Sequence, residues 1–307
     1  MWRRLAPWLV VAAYLSGIEY FLGWKTVFSG WMAIPPASLA VAIVLLLVSY
    51  LLRAWRIWGY FRLATLTEFL GTLSVTLLHN LFNHMLPARS GEISFPLLLK
   101  RRFQFDLVHS SAALFWLRLL DLHFVAGLAL GLVMARIGLP AVGIVLASIW
   151  LLLPLVMAPP LLARVARRQA QGMAQGRWTR VFGRFLEGLP NSARDTLQSL
   201  VLTWLNWVVK LGLVAWLFRS FSGASFQASL AGMLGGEVTS VLPFHAPGGI
   251  GTYEAGVVLA SAPYGVPLDV ATASSVNVHL FLLGMAAVSG GVALLFSSRH
   301  RLRPDFV

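Results

Sequence analysis

Long apolar runs dominate the chain, and their lengths predict helices that cross a bilayer. A helix needs about 20 apolar residues to span about 30 Å of hydrocarbon. Six segments meet that length, at about 5–23, 37–57, 106–135, 139–163, 197–219 and 268–298. Two more, at about 64–99 and 224–262, are apolar but broken: an apolar half, then Pro and Gly with charged residues, then a second short half. These predict helical hairpins that enter the membrane and return, or pairs of short broken helices. The expected fold class is therefore all-α, a polytopic integral membrane helical bundle of six full spans plus two broken or re-entrant hairpins, with residues 1–307 as one transmembrane domain.

The order span, broken hairpin, span occurs twice, through about 37–135 and again through about 197–298. The first hairpin enters from the side opposite to the second, so the two halves are related by inversion across the membrane plane. Matching broken segments in two inverted halves are the best sequence pointer to a transporter site near the midplane.

Composition agrees with this layout. Hydrophobic residues make up 58% of the chain and charged residues 11%, against about 25% charged in a soluble domain. Too little polar surface exists to cover a soluble fold, and no stretch is suited to a separate soluble domain. The chain has no cysteine, which excludes disulfides and thiol chemistry. A net charge of +13 would suggest nucleic acid in a soluble protein; in a membrane protein it reflects Lys and Arg gathered in cytoplasmic loops. Eighteen of the 24 basic residues fall on one side of the expected layout: Arg3 and Arg4, the Arg53–Arg62 group, Lys100–Arg102, the central stretch and the C-terminal Arg299–Arg303 group. Only Lys25, Arg136 and Arg219 fall on the other, which predicts a multi-pass inner (plasma) membrane protein with both termini cytoplasmic. The start, Met1-Trp2-Arg3-Arg4 before an apolar run, resembles a secretory signal and is read as an uncleaved first span. Within the basic loop at about 164–195, Trp178, Val181, Phe182, Phe185, Leu186 and Leu189 recur at helical spacing, with Arg177, Arg180 and Arg184 off that stripe. That is the pattern of an amphipathic helix on the cytoplasmic leaflet; a solvated basic linker is the alternative.

The polar residues inside apolar segments mark the candidate chemistry. In Asn83-His84-Met85-Leu86-Pro87-Ala88-Arg89-Ser90-Gly91-Glu92, Pro87 removes a backbone donor and Gly91 relaxes the chain, so the helix breaks. The freed backbone groups must face protein or a wet cavity. Arg89 can pair with Glu92 across the turn or hold a phosphate in its planar fork. Arg118 and Asp121 share a helical face at i, i+3; they either bind a ligand together or only neutralise each other and pin helix packing. The second break holds Glu237, then Pro243 through His245, then Pro247-Gly248-Gly249-Ile250-Gly251-Thr252-Tyr253-Glu254. Its glycines permit close backbone approach, their N–H groups can form an anion-binding nest, and a helix start after Gly251 would add a favourable dipole. Lys210 should find a carboxylate such as Glu237 or Glu254. Glu68, Asn80, His84, Asn206, Asn277 and His279 are lesser candidates. No nucleotide loop, metal motif or Cys/His cluster is present, so neither a metal nor another cofactor is expected.

Three of these motifs, taken together, resemble the lysylphosphatidylglycerol synthase transmembrane-region family: Asn83 through Glu92, Arg118-x-x-Asp121, and Pro247-Gly248-Gly249-x-Gly251-x-x-Glu254. The similarity covers nearly the whole chain. Members include the membrane half of the multiple peptide resistance factor, a region implicated in flipping a modified phospholipid between leaflets. In those fused members a following soluble domain transfers an aminoacyl group; here the sequence ends just past the last span, so the resemblance implies lipid handling without aminoacyl transfer.

The function expected is a lipid flippase or transporter, not an enzyme, moving a phospholipid or polyprenyl-phosphate lipid between leaflets. Its site residues would be Asn83, Arg89, Glu92, Arg118, Asp121, Glu237, His245, Gly248, Gly249, Gly251 and Glu254. Its partners would be membrane lipids, anionic ones foremost, with a homo-oligomer left open and no nucleic acid. Two alternatives stand beside it: an intramembrane lipid-modifying enzyme using His84 or His245 as a base, and a non-transporting assembly subunit.

Overall fold

A computed structural model of the chain describes residues 12–20, 22–170, 177–190, 192–241 and 247–299. Among them every regular element is helical. Helix α1 is described over 12–20. It is followed by α2 (Trp24–Met32), α3 (Pro36–Tyr60), α4 (Leu66–Met85), α5 (Ser94–Phe103), α6 (Leu107–Arg136) and α7 (Pro140–Ala170). Then come α8 (Arg177–Glu187), α9 (Ala193–Ser222), α10 (Phe226–Val241), α11 (Thr252–Ser261) and α12 (Leu268–Arg299).

Among the described residues, five helices are long and apolar enough to cross a bilayer: α3, α6, the Pro140–Met157 part of α7, α9 and α12. The first span expected at 5–23 lies partly outside the described residues. Burial separates the five by role. The apolar window of α9 is 56% buried within the protein and that of α7 only 6%, so α7 presents Ile144, Val145, Ile149, Val156 and Met157 outward, as a lipid-facing helix must.

Local signals set the helix ends. Asp106 caps α6, its Oδ1 accepting from the backbone N–H of Val108 and His109 at 2.9 and 3.1 Å. Thr65 and Glu68 form a reciprocal capping box on α4: the Glu68 N–H donates to Thr65 Oγ1, and Glu68 Oε2 accepts from the Thr65 N–H. Glu68, a lesser candidate in the sequence, is thus explained as a cap, a full helix away from the first break. Two boundaries differ from expectation. α3 continues through Arg53 and Arg56 to Tyr60, and α7 continues through Arg164, Arg167 and Arg168 to Ala170; helical hydrogen bonding does not stop where hydropathy falls. The amphipathic stretch at 177–187 is a helix, α8, with Phe185 5.9 Å from the Phe115 ring.

Both broken segments fold back on themselves. α4 is followed by a 3₁₀ turn, Pro87–Ile93, and the short α5. A Cβ on Gly91 would lie 2.6 Å from the backbone N and Cα of Asn83, so only glycine lets the turn close. α10 and α11 pack antiparallel through small residues: a Cβ on Gly235 would sit 2.3 Å from the Gly256 carbonyl oxygen, and one on Gly256 would sit 2.6 Å from that of Gly235. Small residues of this kind bring backbones together where lipid supplies no hydrophobic drive. α5 and α11 have 10 residues each, roughly 15 Å at 1.5 Å per residue, which is about half the hydrocarbon thickness.

The chain divides into two compact units. One comprises 1–49, 77–92 and 208–307, the other 50–76 and 93–207. Helices α3, α4 and α9 contribute to both. The second unit contains an apolar cluster formed by Ile57, Val75, Phe95, Leu99, Trp116, Leu117, Leu120 and Leu200. The first contains a cluster of Ile18, Val27 and Val276, with Trp24 and Trp31 packed on it.

Candidate functional site

Both helix breaks lie in the first unit, and they meet there. A Cβ on Gly248 would be 3.4 Å from the backbone oxygen of His84, the penultimate residue of α4. Around the first break, Asn83 Nδ2 donates to Glu92 Oε1 at 3.3 Å and lies 3.2 Å from His79 Nε2, which is itself 3.7 Å from Glu92 Oε2. Asn83 Oδ1 is buried without a partner. His84 Nδ1 donates to the Asn80 carbonyl one turn back, at 2.8 Å.

The second break is organised by Glu254. Gly248, Gly249 and Gly251 have φ of 68°, 76° and 78°, a left-handed run that glycine alone adopts without strain. It delivers the chain into α11 with Glu254 in the first turn. Glu254 Oε2 reaches back to accept the Gly251 N–H at 2.8 Å, while Oε1 accepts from the Tyr14 hydroxyl at 2.8 Å and lies 2.6 Å from His279 Nδ1. His279 Nε2 lies 2.9 Å from the Gly248 carbonyl oxygen. A carbonyl only accepts, so Nε2 carries a proton. One further proton is then shared between Nδ1 and Glu254, and the pair is neutral overall wherever that proton sits. Glu254 and His279 are both buried, with the Tyr253 ring 4.6 Å from the imidazole. The anion nest that the glycines predict is present in outline, but the protein's own carboxylate answers its Gly251 donor. His245 lies outside the described residues, as does the side chain of Arg89. Lys210 does find Glu237: Nζ is 2.5 Å from Oε2, and both side chains are largely buried.

Arg118 and Asp121 belong to the second unit, where Asp121 has more partners than their i, i+3 spacing suggests. Oδ1 accepts from Arg56 Nη1 at 2.7 Å and from Trp207 Nε1 at 3.0 Å; Oδ2 accepts from Arg118 Nη1 at 3.4 Å and Arg56 Nη2 at 3.5 Å. Arg56 Nη1 also donates to Thr203 Oγ1 at 2.7 Å. Arg56 and Asp121 are each buried. Arg56, read from sequence as one of the cytoplasmic cations after the second span, is therefore the principal partner of Asp121. The available signal was its place three residues after Arg53 on one face of an otherwise apolar helix.

A family model described as the lysylphosphatidylglycerol synthase TM region matches residues 5–290. The chain belongs to that family. No curated protein and no solved structure matches it. With five apolar helices of spanning length, this family member is a multi-pass membrane protein. Its two polar clusters are accordingly set among membrane helices, where each ionised group must be paired or face water. Sequence reading located the breaks and the Arg118–Asp121 pair, and it called for a carboxylate partner to Lys210 while leaving Glu237 and Glu254 both open. It missed Arg56, Thr203, Trp207 and Tyr14, whose partners lie between 65 and 240 residues away along the chain.

Proposed function

We propose that the protein moves a phosphate-bearing lipid, a phospholipid or a polyprenyl phosphate, between the leaflets of the inner (plasma) membrane. The observation that carries this reading is the meeting of the two broken hairpins, with His79, Asn83, Glu92, Glu254 and His279 gathered at half-length helices. A lipid head group crossing hydrocarbon loses its hydration, at a cost of several kcal/mol for each polar group left without a partner. Polar side chains at two facing breaks reduce that cost. Membership of the family supports a lipid-related role. The charge asymmetry supports cytoplasmic termini, and the recurrence of span, hairpin, span supports six spans arranged as an inverted repeat.

His279 engages both ring nitrogens with protein partners, which favours transport over general-base chemistry by that residue. The test is a proteoliposome assay with a head-group-labelled phosphatidylglycerol and a polyprenyl phosphate, following loss of signal to a membrane-impermeant quencher. Movement faster than in empty vesicles is expected for at least one. Rates equal to empty vesicles for both would end the transport reading. Lipid mass spectrometry of a deletion strain separates transport from lipid modification, since a modifying enzyme would leave a species missing altogether.

A further inference from the structure

We propose that the contact between His279 and Glu254 is a proton-operated latch: one proton held in it ties the unwound Gly248–Gly251 segment to α12 and α1, and loss of that proton to water frees the segment. The inference rests on the transport reading for what the release serves, whereas the latch itself can be measured without lipid movement. Both carboxylate oxygens and both ring nitrogens are engaged. Glu254 Oε2 accepts from the Gly251 N–H; Oε1 accepts from the Tyr14 hydroxyl and meets His279 Nδ1 at 2.6 Å. His279 Nε2 donates to the Gly248 carbonyl oxygen. An unprotonated Nδ1 and an ionised carboxylate oxygen both present lone pairs, so their approach to 2.6 Å requires one proton in the contact. Once water takes that proton, the imidazole keeps its Nε2 hydrogen and Glu254 keeps its charge. Two acceptors then face each other in a buried place, where their repulsion is poorly screened. A second proton loosens the pair as well, because a protonated carboxyl gives up an acceptor position that Tyr14, Nδ1 or Gly251 is using.

The surroundings suit a latch. Gly251 is exposed; hydrocarbon tolerates unwound backbone only against protein or water, so this glycine faces water rather than acyl chains. A Cβ on Gly251 would meet nothing within 4 Å, which leaves the segment room to move. Gly248 lies against the His84 backbone oxygen at the end of α4, so the bond from His279 to Gly248 also holds the second break to the first. Other titratable groups on the neighbouring helices have their own places. Glu237 on α10 is bound to Lys210 on α9. The Tyr253 ring lies 4.6 Å from the imidazole, with its hydroxyl 3.7 Å from Met233 Sδ. His79, His84 and Glu92 make their contacts around the first break. Glu19 on α1, Lys25 on α2, Arg219 on α9 and Asp269 on α12 are exposed.

The experiment uses the full chain in detergent micelles and follows amide hydrogen exchange of the 250–254 segment by mass spectrometry, each rate normalised to its intrinsic value at that pH. Wild type, Glu254→Gln and His279→Asn are compared from about pH 6 to about pH 10, a range that starts near imidazole ionisation and extends well beyond it. Protection of the wild-type segment is expected to fall about tenfold or more as the pH rises. In Glu254→Gln it should stay within about twofold, because the amide brings its own hydrogen to Nδ1 and no shared proton is needed. The imidazole ¹⁵N signal that disappears in His279→Asn should change over the same pH range as the wild-type protection. A wild-type profile that matches Glu254→Gln, flat or falling, overturns the latch, as does a fall in protection with no change in the His279 signal. Where Glu254→Gln does not fold, His279→Asn is read by the same criteria, since it removes the titrating ring and leaves a neutral N–H beside Glu254. In the proteoliposome assay, flipping without a pH-dependent latch would remove this inference and keep the transport reading; a pH-dependent latch without flipping would do the reverse.

Discussion

Two buried carboxylates organise the two units, and their surroundings differ in one respect. Asp121 is ringed by groups that cannot give up charge: Arg56 and Arg118 at hydrogen-bond distance, Arg53 nearby, and the Trp207 indole. Glu254 is ringed by groups that can, or that are neutral: His279, the Tyr14 hydroxyl and the Gly251 N–H. The first cluster keeps its guanidinium charges whatever the conditions. The second sets its carboxylate against an imidazole and two neutral donors. Asp121 serves as an anchor for cations, and Glu254 as a cap and cross-link for an unwound segment.

The largest expected effect comes from breaking the anchor. Asp121→Asn strands Arg56 in the interior and should cost about 3–5 kcal/mol of stability, measured by denaturant unfolding in micelles. Next is the hairpin that carries Glu254. In Gly256→Val the branched side chain would begin 2.6 Å from the Gly235 backbone oxygen, and forced separation of α10 from α11 should cost about 1–3 kcal/mol. Glu254→Gln sharpens the comparison most directly. The amide can donate to an unprotonated His279 Nδ1 and to the Tyr14 oxygen while its own oxygen accepts from Gly251, so only charge assistance is lost, about 1 kcal/mol. If Glu254→Gln destabilised as much as Asp121→Asn, the contrast between fixed and movable charge would be wrong. The smallest effect is expected where water does most of the screening. Arg62 pairs with Asp195 at 2.7 Å but its side chain is 66% exposed, so Arg62→Ala should cost about 0.2–1 kcal/mol and less still in high salt.

What could be read in advance followed from local physics. Apolar length marks membrane helices because hydrocarbon tolerates no unpaired backbone, and five such helices stand among the described residues. Pro87 with Gly91, and the Pro247–Gly251 run, mark the breaks because each removes a donor or adopts a backbone conformation that a helix cannot hold. Arg118 and Asp121 were legible as a pair because three residues of helix bring them to one face. Arg56 was misplaced for an instructive reason: a cation near the end of an apolar run usually belongs to a loop, and only its partner on α6 shows otherwise.

By itself, the sequence determined the membrane class, the helical content, the positions of both breaks and the presence of charges that demand partners. All of these depend on short-range chain chemistry and on the cost of polarity in lipid. The tertiary structure alone decided which partners were chosen: Arg56 for Asp121, Tyr14 and His279 for Glu254, Glu237 rather than Glu254 for Lys210. Those choices depend on which faces of distant helices come together, and the Gly235–Gly256 contact shows how a single missing Cβ on each side can set that approach.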